Sequence, residues 1–260
     1  MSTPPILYAT GERVARITLN RPAKRNALDA AMVHELTLAL ASAAKDPAVK
    51  VVILQAEGPA FCAGADLEEL QRIAANSMED NRRDSHALAA MFRMIYEMRK
   101  PVVAIVNGPA LAGGCGLVSV SDFVIASQEN ASFGYPEVRI GFVPSIVMSF
   151  LVQRVGEGRA RALVLHGITL KAEEAFVWGL VTELVPAKDL QPTAESLVGE
   201  LLTRNSATAM GLCKEVLAKL HGMTLAEALE FGANMNAAAR MTDDCKRGVG
   251  AFLAKQKIEW

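Results

Sequence analysis

Apolar and polar positions alternate in some stretches of the chain and recur at helical spacing in others. Val14–Leu19 alternates and is β-branched, which predicts a strand, and the Asn20-Arg21-Pro22 break ends it. Leu28–Ala44 carries Met32, Val33, Leu36 and Leu40 at helical spacing, with Asp29 placed as its cap. Val49–Gln55 and Val102–Val106 are short, wholly apolar runs, the signature of strands buried on both faces. Between them, His86–Met98 returns to helical period, with Leu88, Met91, Phe92, Ile95 and Met98 on one face. Phe123–Ala126 predicts a further strand, and Pro144–Arg154 a helix with proline in its first turn.

From Arg159 onward helical patterns dominate. They cover Arg159–Leu165, Lys171–Trp178, Ala194–Arg204, Ala207–Leu220, Leu225–Met241 and Asp243–Lys257. Strand–helix alternation followed by helices predicts one α/β domain with a helical C-terminal extension. The stretch Glu68–Ser85 is charge-rich and poor in apolar residues, and it reads as a mobile flap over a pocket. His34 falls on the first helix as a surface or half-buried side chain.

Composition narrows the picture. The 260 residues are 51% hydrophobic and 21% charged, enough for a sizeable core, and the formal net charge is −1. A near-neutral chain has no global electrostatic drive toward nucleic acid or an anionic membrane. No apolar run reaches the length of a membrane span, and Met1–Pro5 has neither a basic start nor a signal core, so cytoplasm is the expected location. Cys62, Cys115, Cys213 and Cys245 form no CxxC pair and no zinc-spaced cluster; reduced thiols and no metal are expected.

Three loops carry candidate chemistry. Phe61–Leu67 (Phe-Cys-Ala-Gly-Ala-Asp-Leu) offers small residues that let a ligand approach the backbone. Ala110–Gly116 (Ala-Leu-Ala-Gly-Gly-Cys-Gly) opens a helix whose first N–H groups would suit an oxygen that becomes an anion. It contains no GxGxxG and no phosphate-loop lysine. Phe133–Gly141 sets Glu137 among Phe133, Tyr135, Val138, Ile140 and Phe142, apolar company that would raise its pKa for acid–base work. Arg139 is the alternative, a structural ion-pair partner for it. No GxSxG and no HExxH occur.

Taken together, four segments resemble the enoyl-CoA hydratase/isomerase (crotonase) family. They are Arg21–Leu28 (Arg-Pro-x-x-x-Asn-Ala-Leu), Phe61–Leu67, Asn107–Gly114 (Asn-Gly-x-Ala-x-x-Gly-Gly) and Phe133–Gly141 (Phe-Gly-x-Pro-Glu-Val-x-x-Gly), in the family's order and spacing. The resemblance implies a spiral of ββα turns over residues 1–200. It also implies a helical trimerisation region over 201–260, with trimers often paired into hexamers. The implied ligand is an acyl-CoA thioester, with no metal and no cofactor besides that coenzyme A.

In that reading the N–H groups of Ala65 and Gly113 form an oxyanion hole and Glu137 is the catalytic carboxylate. Ala63, Asp66 and Leu67 lie along the CoA adenine and pantetheine, and Lys24 or Arg25 lies near its phosphates. Phe252 and Lys255 match a C-terminal segment that approaches CoA, in some relatives from a neighbouring subunit. Two departures stand out. Gly116 replaces the first glutamate of two-glutamate hydratases, and Gly141–Val147 replaces their glycine-rich stretch.

Those departures resemble the methylglutaconyl-CoA hydratase-like branch, whose substrates bring their own carboxylate. The expected function is therefore hydration of a 2-enoyl-CoA, branched or carboxylated. A one-base isomerase moving a 3-enoyl double bond to the 2-position stays open, as does a catalytically silent binding protein of the same fold.

Overall fold

The computed structural model describes residues 3–64 and 67–260, with the side chains of 67–70 left out. The strands are β1 (Ile6–Gly11), β2 (Val14–Leu19), β3 (Val51–Ala56), β4 (Val102–Val106), β5 (Ala110–Leu111), β6 (Phe123–Ser127), β7 (Ser132–Gly134), β8 (Thr169–Lys171) and β9 (Glu183–Val185). The helices are α1 (Ala30–Lys45), α2 (Leu67–Ala75), α3 (Met78–Glu97), α4 (Gly113–Val120), α5 (Ser145–Val155), α6 (Glu157–His166), α7 (Ala172–Val177), α8 (Leu190–Thr203), α9 (Ala207–Leu220), α10 (Leu225–Met241) and α11 (Asp243–Leu253).

One sheet runs β1-β2-β3-β4-β6-β9. Only the β1–β2 pair in it is antiparallel. A smaller sheet runs β5-β7-β8, with β5 and β7 parallel. The large sheet is covered on both sides, which is why its central strands are apolar throughout. In β3, Val52 and Leu54 face the main core with α1 and α3, while Val51 and Ile53 face Leu190, Ala194, Val198 and Leu201 of α8. The same split places Ala104 and Val106 of β4 on one side and Val103 and Ile105 on the other.

The polar stretch expected to be a flap is helical: it forms α2 and the first turns of α3. Its polarity has a local cause. Ser77 caps α3 by accepting from the Asp80 N–H. Exposed Glu79–Arg82 and Asp80–Arg83 pairs line the first turns, and Arg72 of α2 meets Asp84 of α3 at 2.8 Å. A helix held by caps and surface pairs needs few apolar residues. His34 is exposed on α1.

α9 is anchored to the sheet by a buried ion pair. Lys214, 6% exposed, places Nζ 2.5 Å from Asp122 Oδ2 and donates to the Lys100 carbonyl at 3.1 Å. The same Asp122 oxygen accepts the Val102 N–H at 2.7 Å. Beyond that anchor, α10 and α11 bury no residue and expose Leu225, Leu229, Val249, Phe252 and Leu253. Among the described residues, no helix is long and apolar enough to cross a membrane. Replacing Lys214 with methionine leaves Asp122 half-buried without its cation, and is expected to cost about 3 kcal/mol. Denaturant unfolding checks this: the midpoint should fall while the slope with denaturant is unchanged.

Candidate functional site

Backbone hydrogen bonds stitch the four motif segments into one place. The Ala63 N–H donates to the Arg25 carbonyl (2.9 Å), and the Leu28 N–H donates to the Gly64 carbonyl (2.6 Å). The Cys62 N–H reaches the Pro109 carbonyl (3.1 Å), and the Leu111 N–H returns to the Cys62 carbonyl (2.9 Å). The Ala112 N–H then donates to the Gly134 carbonyl (2.8 Å), three residues before Glu137. So the 21–28, 61–64, 107–114 and 133–137 segments share one continuous main-chain network.

Asn26 holds the outer corner. It is fully buried and left-handed at φ 53°, a conformation asparagine tolerates better than most residues. Its Nδ2 donates to the Glu57 and Ala60 carbonyls, both at 2.8 Å, and its Oδ1 accepts the Arg21 N–H at 2.7 Å. Arg21 in turn meets Asp29, the cap of α1, at 2.6 Å. The sequence pattern marks Asn26 within a motif, but its role as a three-bond clamp is visible only in the structure.

The N-terminus of α4 faces this network. Ala112 precedes the helix at φ 49°, ψ −121°, a strained conformation for a residue with a Cβ. The first backbone bond back to it is Gly116 N–H to Ala112 carbonyl, at 3.0 Å. The N–H groups of Gly113, Gly114 and Cys115 therefore precede the helical ladder, and the helix dipole adds partial positive charge there. Gly114 sits so close to the preceding loop that a Cβ would fall 2.2 Å from the Cys62 carbonyl oxygen. Ala65, the other expected oxyanion donor, and Asp66 lie outside the described residues.

Glu137 lies on a 3-10 turn, Pro136–Ile140, and is 9% exposed. Its Oε2 is buried and has no hydrogen-bond partner among the described residues. Burial pushes its pKa above the usual carboxylate range. Arg139 is exposed and does not pair with it, so the ion-pair alternative fails: the turn sends the two side chains apart. Behind the turn, fully buried Tyr135 shares a hydrogen bond with Ser119 Oγ at 2.9 Å and contacts Cys115. Burial pushes the Cys115 thiol up to about 12, so it stays protonated and inert. Of the expected apolar neighbours, Phe133 and Tyr135 are buried, whereas Val138, Ile140 and Phe142 point outward.

Gly116 is where the structure is most specific. A Cβ built there would fall 2.4 Å from Val147 Cγ1 and 2.9 Å from Phe92 Cζ. The space a second carboxylate would enter through is filled by two apolar side chains. Sequence periodicity assigns Phe92 to the core, and nothing in the linear pattern couples it to Gly116.

The other expected contacts are dispersed. Lys24 and Arg25 are exposed at the end of the 3-10 turn Pro22–Lys24, beside half-buried Ala63. Leu67 begins α2, its side chain outside the described set. Phe252, 82% exposed, and Lys255 stand at the end of α11, which packs on α9 and α10. Among the described residues, no group of three or more His, Cys, Asp or Glu side chains could hold a metal ion.

Two substitutions test this geometry. Asn26→Ala removes three hydrogen bonds and leaves buried carbonyls unpaired, an expected loss of about 2–4 kcal/mol in thermal or denaturant unfolding. Gly116→Ala should cost about 1–3 kcal/mol by overpacking. Combined with Val147→Ala it should cost less than the sum of the two single changes, by about 1 kcal/mol. Additive losses would show that the two positions do not meet.

The sequence model of the enoyl-CoA hydratase/isomerase family matches residues 9–260. A Thermus thermophilus protein with a provisional enoyl-CoA hydratase name is 42% identical over 94% of this chain and 95% of its own length. The crotonyl-CoA hydratase of Syntrophomonas wolfei is 35% identical over 98% of this chain and 97% of its own. Among solved structures, the enoyl-CoA hydratase of Mycobacterium smegmatis superposes with TM-score 0.93 at 31% identity, covering 99% of both chains. Pseudomonas aeruginosa AtuE superposes with TM-score 0.92 at 33% identity, covering 98% of both. With its α/β spiral, its stitched motif loops and a family match over nearly its full length, the chain belongs to the enoyl-CoA hydratase/isomerase family of enzymes.

Proposed function

We propose that this enzyme hydrates a 2-enoyl-CoA thioester, using Glu137 as its one carboxylate acid–base. The observation that carries the reading is the Glu137 oxygen: buried, unpartnered and raised in pKa by burial. A carboxyl group whose pKa is raised by burial takes up a proton more readily than a solvated one and can return it. In the reaction, the thioester oxygen accepts from the N–H groups of Gly113 and Ala65. Glu137 takes a proton from water as the water oxygen bonds to the β-carbon. The electron pair of the double bond moves toward the thioester, giving an enolate held by those donors. Protonated Glu137 then gives a proton to the α-carbon, and the carboxylate is restored. Water is added and nothing else is consumed, so the only coenzyme involved is the CoA of the substrate.

The hydratase reading is supported by the names of relatives over nearly their whole length. The filled space at Gly116 favours a finer version. With no carboxylate at position 116 to hold the water, a carboxylate on the substrate's own distal end is the partner that best fits. The same filled space supports the second reading, a 3-enoyl to 2-enoyl isomerase, because moving a double bond needs one base alone.

Around the reaction, Lys24 and Arg25 would meet the CoA phosphates, and Ala63, Asp66 and Leu67 its adenine and pantetheine. The exposed apolar residues of α10 and α11 suit burial in a homotrimer or a hexamer of paired trimers. There Phe252 and Lys255 would approach a neighbour's CoA.

The test supplies 2-enoyl-CoA substrates, with and without a distal carboxylate, and a 3-enoyl-CoA. Water uptake identifies the hydratase; a shifted double bond without it identifies the isomerase. Glu137→Gln should lower the rate by roughly 10²–10⁴-fold. Because the reactive form is the carboxylate, activity should fall as pH drops through a value above the ordinary glutamate pKa. The folded-state pKa is raised, so the ionised form carries a burial penalty above that pH, and the penalty is relieved as pH falls through it. Glu137→Gln removes the penalty, so the inactive variant should unfold at a higher temperature at neutral pH. A variant that keeps near-normal activity would overturn the assignment.

A further inference from the structure

We propose that the cavity between α9 and the carboxyl end of α4 is a second binding site, suited to a small carboxylate with an apolar chain. It lies away from the reaction described above. α4 begins at Gly113, on the main-chain network that leads to Glu137. Ser119, Val120 and Ser121, at the other end of the helix, line the cavity, and neither Glu137 nor Gly113 borders it. About 10 Å of helix separates the two ends.

The cavity measures about 780 Å³, inside the range of about 300–1,000 Å³ typical of small-molecule sites. Phe123, Phe150, Leu201, Met210 and Trp260 give it an apolar wall. Its charge is unbalanced. Among the described lining residues Asp122 is the one carboxylate, and it serves two cations, Lys214 and Arg154. Lys214 holds it directly, Nζ to Oδ2 at 2.5 Å. Arg154 forms no ion pair among the described residues. Its two terminal nitrogens donate to the Ser121 and Leu180 carbonyls, which occupy donors without cancelling charge. Burial opposes the guanidinium charge, and Asp122 offsets it in part. A third lining cation, Arg204, is answered by Glu200 at 3.1 Å.

The cluster of Arg154, Lys214 and Asp122 thus carries one positive charge in excess, against a hydrocarbon wall. An anion beside Arg154 removes that excess where water screens it poorly. The planar guanidinium suits a carboxylate, which can accept from it in a fork. The wall selects a ligand with a hydrocarbon body, since an inorganic anion would leave those side chains in water.

The experiment titrates octanoate and octan-1-ol, two ligands with the same chain, into the full-length protein by calorimetry. Butanoyl-CoA is kept in excess so that the site around Glu137 is occupied. Wild type should bind octanoate about tenfold more tightly than the alcohol, the scale of one hydrogen bond to a charged group. Arg154→Gln should abolish that preference. Because Arg154 also holds two carbonyls, a second variant leaves it in place: Ala209→Trp, at an exposed lining position on α9, should block both ligands and leave turnover of a 2-enoyl-CoA unchanged. Equal binding of octanoate to wild type and Ala209→Trp would overturn the proposal, as would equal binding of acid and alcohol by wild type. If octanoate fails to bind wild type and Ala209→Trp loses a self-association that wild type shows, a second copy of the chain fills the cavity and the proposal falls.

Discussion

The site depends on one close approach: the start of α4 against the loop that carries Cys62. At Gly114 no Cβ fits, because the Cys62 carbonyl oxygen would lie 2.2 Å from it. That contact lets the Leu111 N–H reach the Cys62 carbonyl, and the Cys62 N–H reach the Pro109 carbonyl. The helix start is thereby locked to the loop that leads into Ala65 and to the Gly134 carbonyl at the head of the Glu137 turn. Main-chain groups are the right material for such a lock. They carry no rotamer freedom, so the geometry they fix has little room to relax. The strain at Ala112, held at positive φ, is tolerated because bonds on both sides fix it.

The second constraint is electrostatic. A carboxylate placed where water reaches it poorly and no cation answers it costs folding stability, and among the described residues Glu137 has neither a cation nor a hydrogen-bond partner for Oε2. The structure surrounds it with neutral polarity instead. Tyr135 and Ser119 satisfy one another, and Cys115 remains a thiol. The cost is bearable because the rest of the fold is conventional: a six-stranded sheet covered on both faces and tied to α9 by Lys214 and Asp122.

How far the sequence speaks depends on the range of the interaction. Val14–Leu19 and Val102–Val106 read correctly as strands, and Ala207–Leu220 and Leu225–Met241 as helices, because their apolar periods are local. β5, β7, β8 and β9 escape because two or three residues carry no period, and they exist only through partners far along the chain. β1 escapes for another reason: five of its six residues are exposed, so its only signal is its pairing with β2. Glu137 and the glycine run are legible as chemistry because the residue types are unusual in context. The clamp at Asn26 and the packing of Phe92 against Gly116 are not, since each joins residues that sequence separates by tens of positions.

Gly116 therefore has to be understood with Val147 and Phe92, not as a deletion by itself. A glycine inside a buried helix can leave a hole unless neighbouring side chains fill it. Here the hole is closed by apolar side chains from two other helices. Any side chain at position 116 would have to displace Val147 or Phe92, so glycine there is imposed by packing.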